Sequence, residues 1–350
     1  MSMEKLRVAV IGAGGWGYQH ARAFSAREDT QLCCITGRTL ERTRARAEAF
    51  HVPYYLDIPT MLQEQKPDLV SLCLPGQETF APTMQVIEAG VPLLVEKPLA
   101  YELSEAKAMI QAAEKKGLFF AIDFNHRYSI PALLAKKDID AGKLGQMVFA
   151  LWRFGHGCDA SVARHPYVNL IEAQCHGLDL LEYLCGPIAS VTAEMTDTGK
   201  HSYTTFSLAL RFANGGVGSF LGTFDADENY ELSHFVEING TKGRLLMEDS
   251  VRKYSFQEVG SRVAQVWNPA FFHDEERSFA QNLDRYLDDM IPALRQGRQP
   301  PVPARRGLRA LRLAWAAVES FQTGKRVPVQ LLDDEGANVS LPRGKADTVS

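Results

Sequence analysis

The sequence predicts an α/β protein with two parts: an N-terminal doubly wound parallel sheet and a C-terminal α+β domain with a large, open, mixed or antiparallel sheet. In the first 125 residues, short and almost continuously apolar runs alternate with helical patterns, as in a parallel sheet covered on both faces. Later strands follow one another with few helices between them. The chain of 350 residues is long enough for both parts. We expect domains at 1–124 and 125–329, and a flexible polar tail at 330–350.

The elements of the first part follow in strict alternation. The predicted strands are Leu6–Ile11, Gln31–Thr36, Leu69–Leu74, Val91–Val95 and Leu118–Ile122. Helical composition occurs over Tyr18–Arg27, Leu40–Phe50 and Thr83–Ala89, and a further helix starts at Ser104 and ends near Gly117. This order of elements indicates a sheet with helices on both faces.

The second part is rich in strands. The predicted strands are Met147–Phe154, Ser190–Met195, Tyr203–Phe212, Gly218–Phe224, Phe235–Ile238 and Arg244–Glu248. Helices are predicted at Leu133–Ala141, Ile171–Leu184, Phe279–Gln296 and Leu308–Phe321. A sheet of this kind often offers one face to a partner subunit, so a homodimer or homotetramer is expected.

Composition excludes several classes of function. The formal net charge of −4 gives no strong field for nucleic acid or anionic membranes, and no apolar run reaches the ~18–20 residues of a membrane helix. The N-terminus has no signal-peptide pattern. The six cysteines form no dense framework, which is typical of reduced thiols in a cytoplasmic protein.

A glycine-rich turn follows the first predicted strand. Gly12, Ala13, Gly14, Gly15, Trp16 and Gly17 fit the pattern G-x-G-x-x-G between a strand and a helix, the fingerprint of a Rossmann dinucleotide site. The first glycine permits the tight turn, the second lets a pyrophosphate approach, and the third lets the helix pack on the strand. We therefore predict that this loop binds a dinucleotide at the helix N-terminus.

The cofactor is predicted to be NADP, with NAD as the alternative. NAD sites usually carry an acidic residue about 20 residues further on, to bind the ribose hydroxyls. This chain has Arg38, Thr39 and Arg42 there, and a guanidinium can bind a 2′-phosphate that a carboxylate would repel.

Two further motifs carry candidate chemistry. Glu96, Lys97 and Pro98 follow the Val91–Val95 strand, at the sheet edge where ligands bind. Glu172 and His176 have the i, i+4 spacing of one helix face. A structural pair and a metal site completed by His156, Cys158 and His165 are alternatives; because those residues lack compact ligand spacing, we predict no metal.

The combination of GAGGWG, EKP, Asn125-His126-Arg127-Tyr128 and the E-x-x-x-H-x-x-D helix resembles the glucose–fructose oxidoreductase / inositol dehydrogenase (Gfo/Idh/MocA) family. The resemblance spans about residues 5–329. It implies hydride transfer between a nicotinamide and a hydroxyl or keto carbon of a sugar, inositol or sugar derivative. Two departures stand out: Glu172 replaces the aspartate of many members, and Gly76 and Thr79 replace an asparagine and a histidine in the loop that borders the cofactor.

The resemblance implies roles for individual residues. The catalytic residues would be His176 as proton acceptor, Lys97 as stabiliser of the developing alkoxide, and Glu172, which would orient His176 or bind a neighbouring hydroxyl. Cofactor contacts would add Leu74, Pro75, Gln77, Glu96 and Lys97 to the glycine loop, Arg38, Thr39 and Arg42. Substrate contacts are expected from His176 and from Asn125, Arg127, Tyr128, Trp152, Arg153, Arg164, His165 and Tyr167.

Two other functions fit parts of this pattern. A redox-assisted glycoside hydrolase or lyase would keep its cofactor tightly bound and cleave glycosides without net production of reduced cofactor. A non-catalytic dinucleotide-binding regulator would bind a partner protein without hydride transfer. The presence of Lys97 and His176 favours the dehydrogenase.

Overall fold

The computed structural model describes residues 4–157, 165–198, 202–227 and 229–331, in two compact units. The first contains Met1–Tyr128 and Ala280–Leu311, and the second contains Ser129–Phe279 and Arg312–Ser350. The division by sequence differs here, because it placed residues 280–311 in the second domain. The predicted tail at 330–350 lies outside the described residues from position 332 onward.

A six-stranded parallel sheet forms the first unit, with the order β3-β2-β1-β4-β5-β6. Its strands are β1 (Leu6–Ile11), β2 (Thr30–Thr36), β3 (Tyr54–Tyr55), β4 (Leu69–Leu72), β5 (Leu93–Val95) and β6 (Phe120–Ile122). The helices between them are α1 (Gly15–Ala26), α2 (Leu40–Ala49), α3 (Ile58–Gln65), α4 (Phe80–Glu88) and α5 (Leu103–Lys115). All residues of β4, β5 and β6 are buried, as expected for a parallel sheet.

Residues 280–311 join the first unit through its last strand. The segment before the final helix hydrogen-bonds β6: Ile122 N donates to Val302 O at 3.0 Å, and Ala304 N donates to Phe120 O at 2.9 Å. Helix α9 (Gln281–Arg295) adds the buried Tyr286, whose hydroxyl donates to Ile122 O at 3.1 Å. Local sequence patterns do not encode pairing over this separation, so the sequence-based boundary missed it.

The second unit is built on a nine-stranded sheet with the order β14-β13-β12-β11-β7-β10-β9-β8-β15. Its strands are β7 (Met147–Gly155), β8 (Ile188–Thr196), β9 (Thr205–Phe212), β10 (Val217–Thr223), β11 (His234–Gly240), β12 (Gly243–Glu248), β13 (Lys253–Glu258), β14 (Gln265–Trp267) and β15 (Val327–Pro328). The β7–β10 pair is parallel and its other pairs are antiparallel, which confirms the predicted mixed sheet.

Helices α6 (Ile130–Asp140) and α7 (Cys175–Cys185) pack on this sheet. A short α8 (Asp274–Arg277) follows the last hairpin, and α10 (Arg305–Thr323) begins in the first unit and ends in the second. Burial alternates along β9, so one face of the sheet forms the core. Strand β13 was not predicted, although its sequence KYSFQE has the same alternation.

The structure bears on two expectations from the composition, which concern membrane-spanning helices and the cysteines. Among the described residues, no helix is long and apolar enough to cross a bilayer. Cys33, Cys34, Cys73, Cys175 and Cys185 are free thiols, and Cys158 lies outside the described residues.

His234, at the start of β11, is a buried histidine in the core of the second unit. Its ring lies edge-on against Trp152, with 4.4 Å between the ring centroids, and it hydrogen-bonds the Ser250 hydroxyl. Burial lowers the pKa of His234 to about 3. The unfolded chain, with an ordinary histidine pKa of about 6.5, therefore binds the proton more tightly between these values.

We expect His234 to make the protein acid-labile. Its contribution to stability is full above pH 6.5 and is lost as the pH falls, by at most ~1.4 kcal/mol per pH unit. His234→Leu should therefore lose less stability than the wild type between pH 6.5 and 4.5, as measured by urea unfolding. The exposed His273→Leu serves as the control, and parallel pH profiles for wild type and His234→Leu would contradict the expectation.

Candidate active site

The glycine turn lies between β1 and α1, as predicted. Gly12 has a φ of +124°, and a Cβ there would lie 2.2 Å from Cys73 O. A Cβ on Gly17 would lie 1.9 Å from Gly12 O, so the helix can approach the strand only without a side chain. By contrast, a Cβ on Gly14 or Gly15 would have no atom of the described chain within 4 Å. The turn is thus closed toward the sheet and open toward solvent.

The N-terminus of α1 can accept an anion. Gly14 is its N-cap and provides no side-chain cap, so within the described chain no cap side chain takes up the first amide groups. These amides and the helix dipole favour a negatively charged group. Trp16 is 37% exposed beside this open face. On the other side, the Arg46 guanidinium lies 3.5 Å from the carbonyl oxygen of Ala13, a contact that the sequence did not predict.

The segment after β2 places Arg38, Thr39 and Arg42 on the surface. The Arg38 side chain is 75% exposed, and its Nη2 lies 2.6 Å from Oε2 of Glu78, in the loop after β4. A carboxylate that follows β4 is therefore paired with the guanidinium that follows β2. Its negative charge offsets the cation that was predicted to bind a 2′-phosphate.

The loop after β4 contains Leu74, Pro75 and Gln77, three of the predicted cofactor contacts. Leu74 is half-buried, whereas Pro75 and Gln77 are exposed. A Cβ on Gly76 would lie 2.5 Å from Pro98 Cγ and 3.1 Å from Tyr101 Cε2. The glycine thus lets this loop pack its backbone against the turn that follows Lys97, which gives a physical reason for the departure from the asparagine of many relatives.

Glu96 and Lys97 follow β5, and the peptide bond between Lys97 and Pro98 is cis. Glu96 is only 5% exposed. Its Oε2 accepts a hydrogen bond from the Lys97 backbone N–H at 3.1 Å, and its Oε1 lies 3.0 Å from Nε2 of His20. The Glu96 side chain is thus directed into the protein, so the structure gives it a supporting role instead of the predicted cofactor contact.

A polar cluster that the sequence did not predict lies below this edge of the sheet. His20, on α1, hydrogen-bonds the Ser71 hydroxyl through Nδ1 at 2.7 Å, and its Nε2 is 3.5 Å from Oδ2 of Asp123. Asp123 Oδ2 also accepts a hydrogen bond from Asn125 Nδ2 at 3.2 Å. His20 and Asp123 have no exposed surface. A histidine three residues beyond the glycine motif was the available sequence signal.

The cluster is stable only with a matched set of charges. Burial alone would lower the pKa of His20, but the adjacent Cys73 sulfur and the hydrogen bonds to Asp123 and Glu96 together raise it well above its usual value of 6.5. Cys73 contributes no charge at neutral pH, because burial raises the pKa of its thiol. Burial alone would raise the pKa of Glu96, and the bond to His20 lowers it, whereas burial and Glu96 together raise that of Asp123. The two carboxylate contacts of His20 favour its charged form, in which the imidazolium compensates buried negative charge.

The predicted substrate contacts Asn125, Arg127 and Tyr128 form a 3-10 helix, Asn125–Tyr128, after β6. Asn125 and Arg127 are buried, at 2% and 7% exposure. Asn125 Oδ1 has no hydrogen-bond partner among the described residues, so this buried acceptor is available to a ligand. The Tyr128 hydroxyl instead donates to Asp289 Oδ2 at 2.9 Å, which ties that side chain to α9.

Glu172 and His176 lie on two different helical forms, unlike the single helix predicted. Glu172 belongs to a π-helical segment, Asn169–Ala173, and α7 starts only at Cys175. The Gln174 N–H donates to Asn169 O at 3.0 Å, the five-residue step of a π-helix. Regular i, i+4 geometry therefore does not apply to this pair. Glu172 is half-buried, and His176 is 7% exposed in the first turn of α7.

Trp152 supports this turn and is completely buried, so its packing role differs from the predicted substrate contact. Its Nε1 donates to Gln174 Oε1 at 3.0 Å. A Cβ on Gly177 would lie 2.3 Å from the indole ring, so the glycine lets the helix rest directly on the tryptophan. Trp152 thereby fixes the residues on either side of His176.

The other predicted substrate residues lie in different surroundings. Arg153 donates to the backbone oxygen of Leu232, and Arg164 lies outside the described residues. Tyr167 stacks on Tyr203 with 5.3 Å between ring centroids, and His165 lies edge-on to Trp315 at 6.1 Å. His165 and Tyr167 are thus part of a half-exposed aromatic cluster in the second unit.

The chain is similar to curated enzymes along most of its length. It is 28% identical to D-glucoside 3-dehydrogenase from Escherichia coli (strain K12), over 93% of this chain and 98% of the relative. It is 24% identical to scyllo-inositol 2-dehydrogenase (NAD(+)) from Bacillus subtilis (strain 168), over 94% and 97%.

Solved structures share the fold. A levoglucosan dehydrogenase in complex with NADH and levoglucosan superposes with a TM-score of 0.86 at 20% identity, covering 94% of this chain and 100% of that one. The WlbA dehydrogenase from Bordetella pertussis, in complex with NADH and UDP-GlcNAcA, gives 0.81 at 23% identity, covering 95% and 99%.

Two family models match consecutive parts of the sequence. The model described as "Oxidoreductase family, NAD-binding Rossmann fold" matches residues 6–124, and the model of the C-terminal alpha/beta domain of the same family matches residues 167–331. Together they cover most of the chain, so this protein belongs to the Gfo/Idh/MocA family of oxidoreductases.

Proposed function

We propose that this protein is a nicotinamide-dependent dehydrogenase that moves a hydride between its cofactor and a hydroxyl or keto carbon of a sugar, inositol or sugar derivative. The observation that carries the proposal is the carboxyl edge of the parallel sheet. There the open glycine turn after β1 and Lys97 after β5 belong to one unit. Ligands of open α/β sheets bind at this edge.

The substrate class is supported by the relatives. D-glucoside 3-dehydrogenase and scyllo-inositol 2-dehydrogenase act on cyclic polyhydroxylated compounds, as their names state. In this chain, the buried acceptor Asn125 Oδ1 suits a hydroxyl donor. The half-exposed rings of Tyr167 and Trp315 suit the C–H face of a sugar ring.

The glycine turn has the space and the hydrogen-bond donors that a dinucleotide cofactor needs. The open surface at Gly14 and Gly15 leaves room for a pyrophosphate, and the amides at the start of α1 would bind it. When bound, the nicotinamide accepts or gives the hydride. The protein's own side chains would supply the remaining chemistry.

His176 is proposed to act on the proton. As a substrate C–H bond breaks with loss of a hydride, the hydroxyl on the same carbon loses its proton to the His176 imidazole. Lys97 donates a hydrogen bond to that oxygen and stabilises the negative charge that develops on it. In the reverse direction, His176 returns the proton to the oxygen. Glu172, on the π-helical segment, would orient His176 or bind a neighbouring hydroxyl.

NADP is proposed as the preferred cofactor, with only a small preference over NAD. Arg38 is exposed and can turn toward a 2′-phosphate, but its ion pair with Glu78 competes with that contact. The Glu78 carboxylate also repels a phosphate. The pair therefore limits the affinity for NADP relative to that for NAD. In addition, the Glu78 carboxylate is available to bind the ribose diol of NAD.

We place the protein in the cytoplasm as a homo-oligomer. The free thiols of the five described cysteines agree with a reducing compartment. Two paired apolar residues on central strands of the nine-stranded sheet lie on the same face and are exposed: Phe149 on β7 is 38% exposed, and Val217 on β10 is 47% exposed. A second copy of the chain that covers this face would remove them from water.

Removal of either proposed catalytic side chain should abolish most turnover. His176→Ala and Lys97→Ala are each expected to lower kcat by ~10²–10⁴-fold in a screen of sugars and inositols, the usual cost of losing an acid–base group. Cofactor affinity should change by less than about threefold. The exposed Lys107→Ala is the control, and near-wild-type turnover of either variant would refute the assignment.

The Arg38–Glu78 pair should set the cofactor preference. Glu78→Gln is expected to raise the ratio of NADP to NAD affinity by up to about fivefold, the scale of an exposed ion pair worth at most ~1 kcal/mol. Arg38→Ala should weaken NADP much more than NAD. Both ratios can be measured by fluorescence titration, and wild-type protein that binds NAD at least as tightly as NADP would contradict the preference.

The glycine turn gives a matched set of alanine variants. Gly14→Ala should fold normally but weaken cofactor binding by about tenfold or more, or ~1.4 kcal/mol, because the methyl group occupies the approach to the pyrophosphate. Gly15→Ala, at a position where the G-x-G-x-x-G pattern accepts other residues, is expected to weaken cofactor binding less than Gly14→Ala does. Gly17→Ala should fail to fold stably. Calorimetry and thermal unfolding measure these effects, and unchanged binding by Gly14→Ala would contradict the expectation.

A further inference from the structure

The buried cluster below the carboxyl edge of the parallel sheet has a connectivity that the reaction, as proposed so far, does not use. It joins α1 to the ends of β4, β5 and β6 through a single imidazole. On one side, Glu96 accepts from the backbone N–H of Lys97 at 3.1 Å. On the other, Asp123 accepts from the side-chain amide of Asn125 at 3.2 Å. Two residues of the proposed active site are therefore connected by His20.

We propose that His20 is a positioning residue of the dehydrogenase: as a buried imidazolium, it holds Glu96 and Asp123 together and so fixes the Lys97 backbone and the Asn125 amide. The inference rests on the proposed function, because it concerns the residues that would contact cofactor and substrate. His20 itself touches neither, since it has no exposed surface.

Geometry supports this role more directly than simple packing would. The imidazole makes directed contacts with both ring nitrogens, to Ser71 Oγ at 2.7 Å and to Glu96 Oε1 at 3.0 Å. An imidazolium donates from both nitrogens, so Ser71 and Glu96 both accept. Without the cation, two carboxylates would share a buried site only a few ångströms apart. One of them would then take up a proton or turn away.

The consequence for Lys97 follows from the hydrogen bond that it gives to Glu96. If Glu96 becomes protonated or changes rotamer, the peptide of Lys97 loses a charge-assisted acceptor. The backbone of Lys97 then becomes more mobile. As a result, the Lys97 ammonium group spends less time next to the substrate oxygen. The loss appears in the chemical step, while cofactor binding at the glycine turn stays intact.

A metal ion is the alternative occupant of this cluster. One ligand atom from each of His20, Glu96 and Asp123 lies within 4.8 Å of the others. However, the imidazole and Glu96 are already in direct hydrogen-bond contact, and His20 is surrounded by Ser71, Cys73 and the two carboxylates. A protonated His20 ring accounts for these hydrogen bonds without a metal ion, so we assign the positive charge of the cluster to the imidazolium.

The first measurement is the charge of His20 itself. In protein labelled with ¹³C-histidine, the His20 resonance is identified by its absence in His20→Gln and followed from pH 5.5 to 9.5. We expect an imidazolium at pH 7.5. A neutral His20 at that pH would overturn the proposal, even if the protein oxidises sugars. An imidazolium in protein that oxidises no sugar or polyol would leave the cluster as assigned and refute the proposed function instead.

The second measurement is kinetic. His20→Gln is expected to lower kcat by ~10–100-fold, the range found for residues that orient a reacting group, with KM and cofactor Kd changed less than about threefold. In a Lys97→Ala background, the same substitution should lower kcat by a clearly smaller factor than in the wild type, because one of the two groups that it positions is gone. Full additivity of the two substitutions would overturn the proposal.

Thr30→Val is the matched control for loss of a buried polar contact. The Thr30 hydroxyl donates to Phe24 O at 2.6 Å and is buried in the same unit as the cluster. Thr30 is the first residue of β2, so it lies at the amino edge of the sheet and not at the carboxyl edge that carries the cluster. This variant should lose stability and keep kcat. If His20→Gln does not fold, Glu96→Gln replaces it and should lower both kcat and the pH at which His20 titrates. One bound divalent metal per chain, measured by mass spectrometry and lost in either cluster variant, would also overturn the proposal.

Discussion

The first unit depends on the burial of two carboxylates at the carboxyl edge of its sheet. Glu96 and Asp123 end adjacent strands, and ionised carboxylates are costly to remove from water unless they are paired and hydrogen-bonded. His20 reaches them from α1, and Gly17 lets that helix lie close enough to do so. Gly17 in the turn and His20 in the interior therefore act together to stabilise the two buried carboxylates. The same edge carries Lys97 and Asn125.

The second unit solves a different problem, the presentation of His176 at the start of a helix. Its chain passes from a π-helical segment into α7, and the extra residue in the turn changes which side chains share a face. Trp152 fills the space beneath, against Gly177 and Gln174. In both units, a proposed catalytic residue is supported by a buried polar contact from an element distant in sequence.

Much of this organisation could be predicted from the sequence because it is encoded in local patterns. The apolar runs predicted five of the six strands of the parallel sheet, all but the short β3, and G-x-G-x-x-G lies at the predicted turn between β1 and α1. What failed depended on distant contacts. The pairing of residues 302–304 with β6, the Glu78 partner of Arg38 and the His20 cluster all join segments that no periodicity connects. Similarly, the ring of a tryptophan can stack on a sugar, and only the fold shows that Trp152 is buried in the core.

The Arg38–Glu78 pair also bears on how the enzyme can diversify. Both side chains lie on surface loops, outside the strands and helices that bury the core, and the Arg38 side chain is 75% exposed. Substitutions there cost little stability, since surface positions of this kind usually change it by no more than ~0.5 kcal/mol. Glu96, by contrast, belongs to a buried charge cluster, and its substitution alters the charge balance of the whole cluster. Under the proposed role of this pair, coenzyme choice can drift during evolution without disturbing the contacts that hold Lys97, and the two properties are open to selection independently.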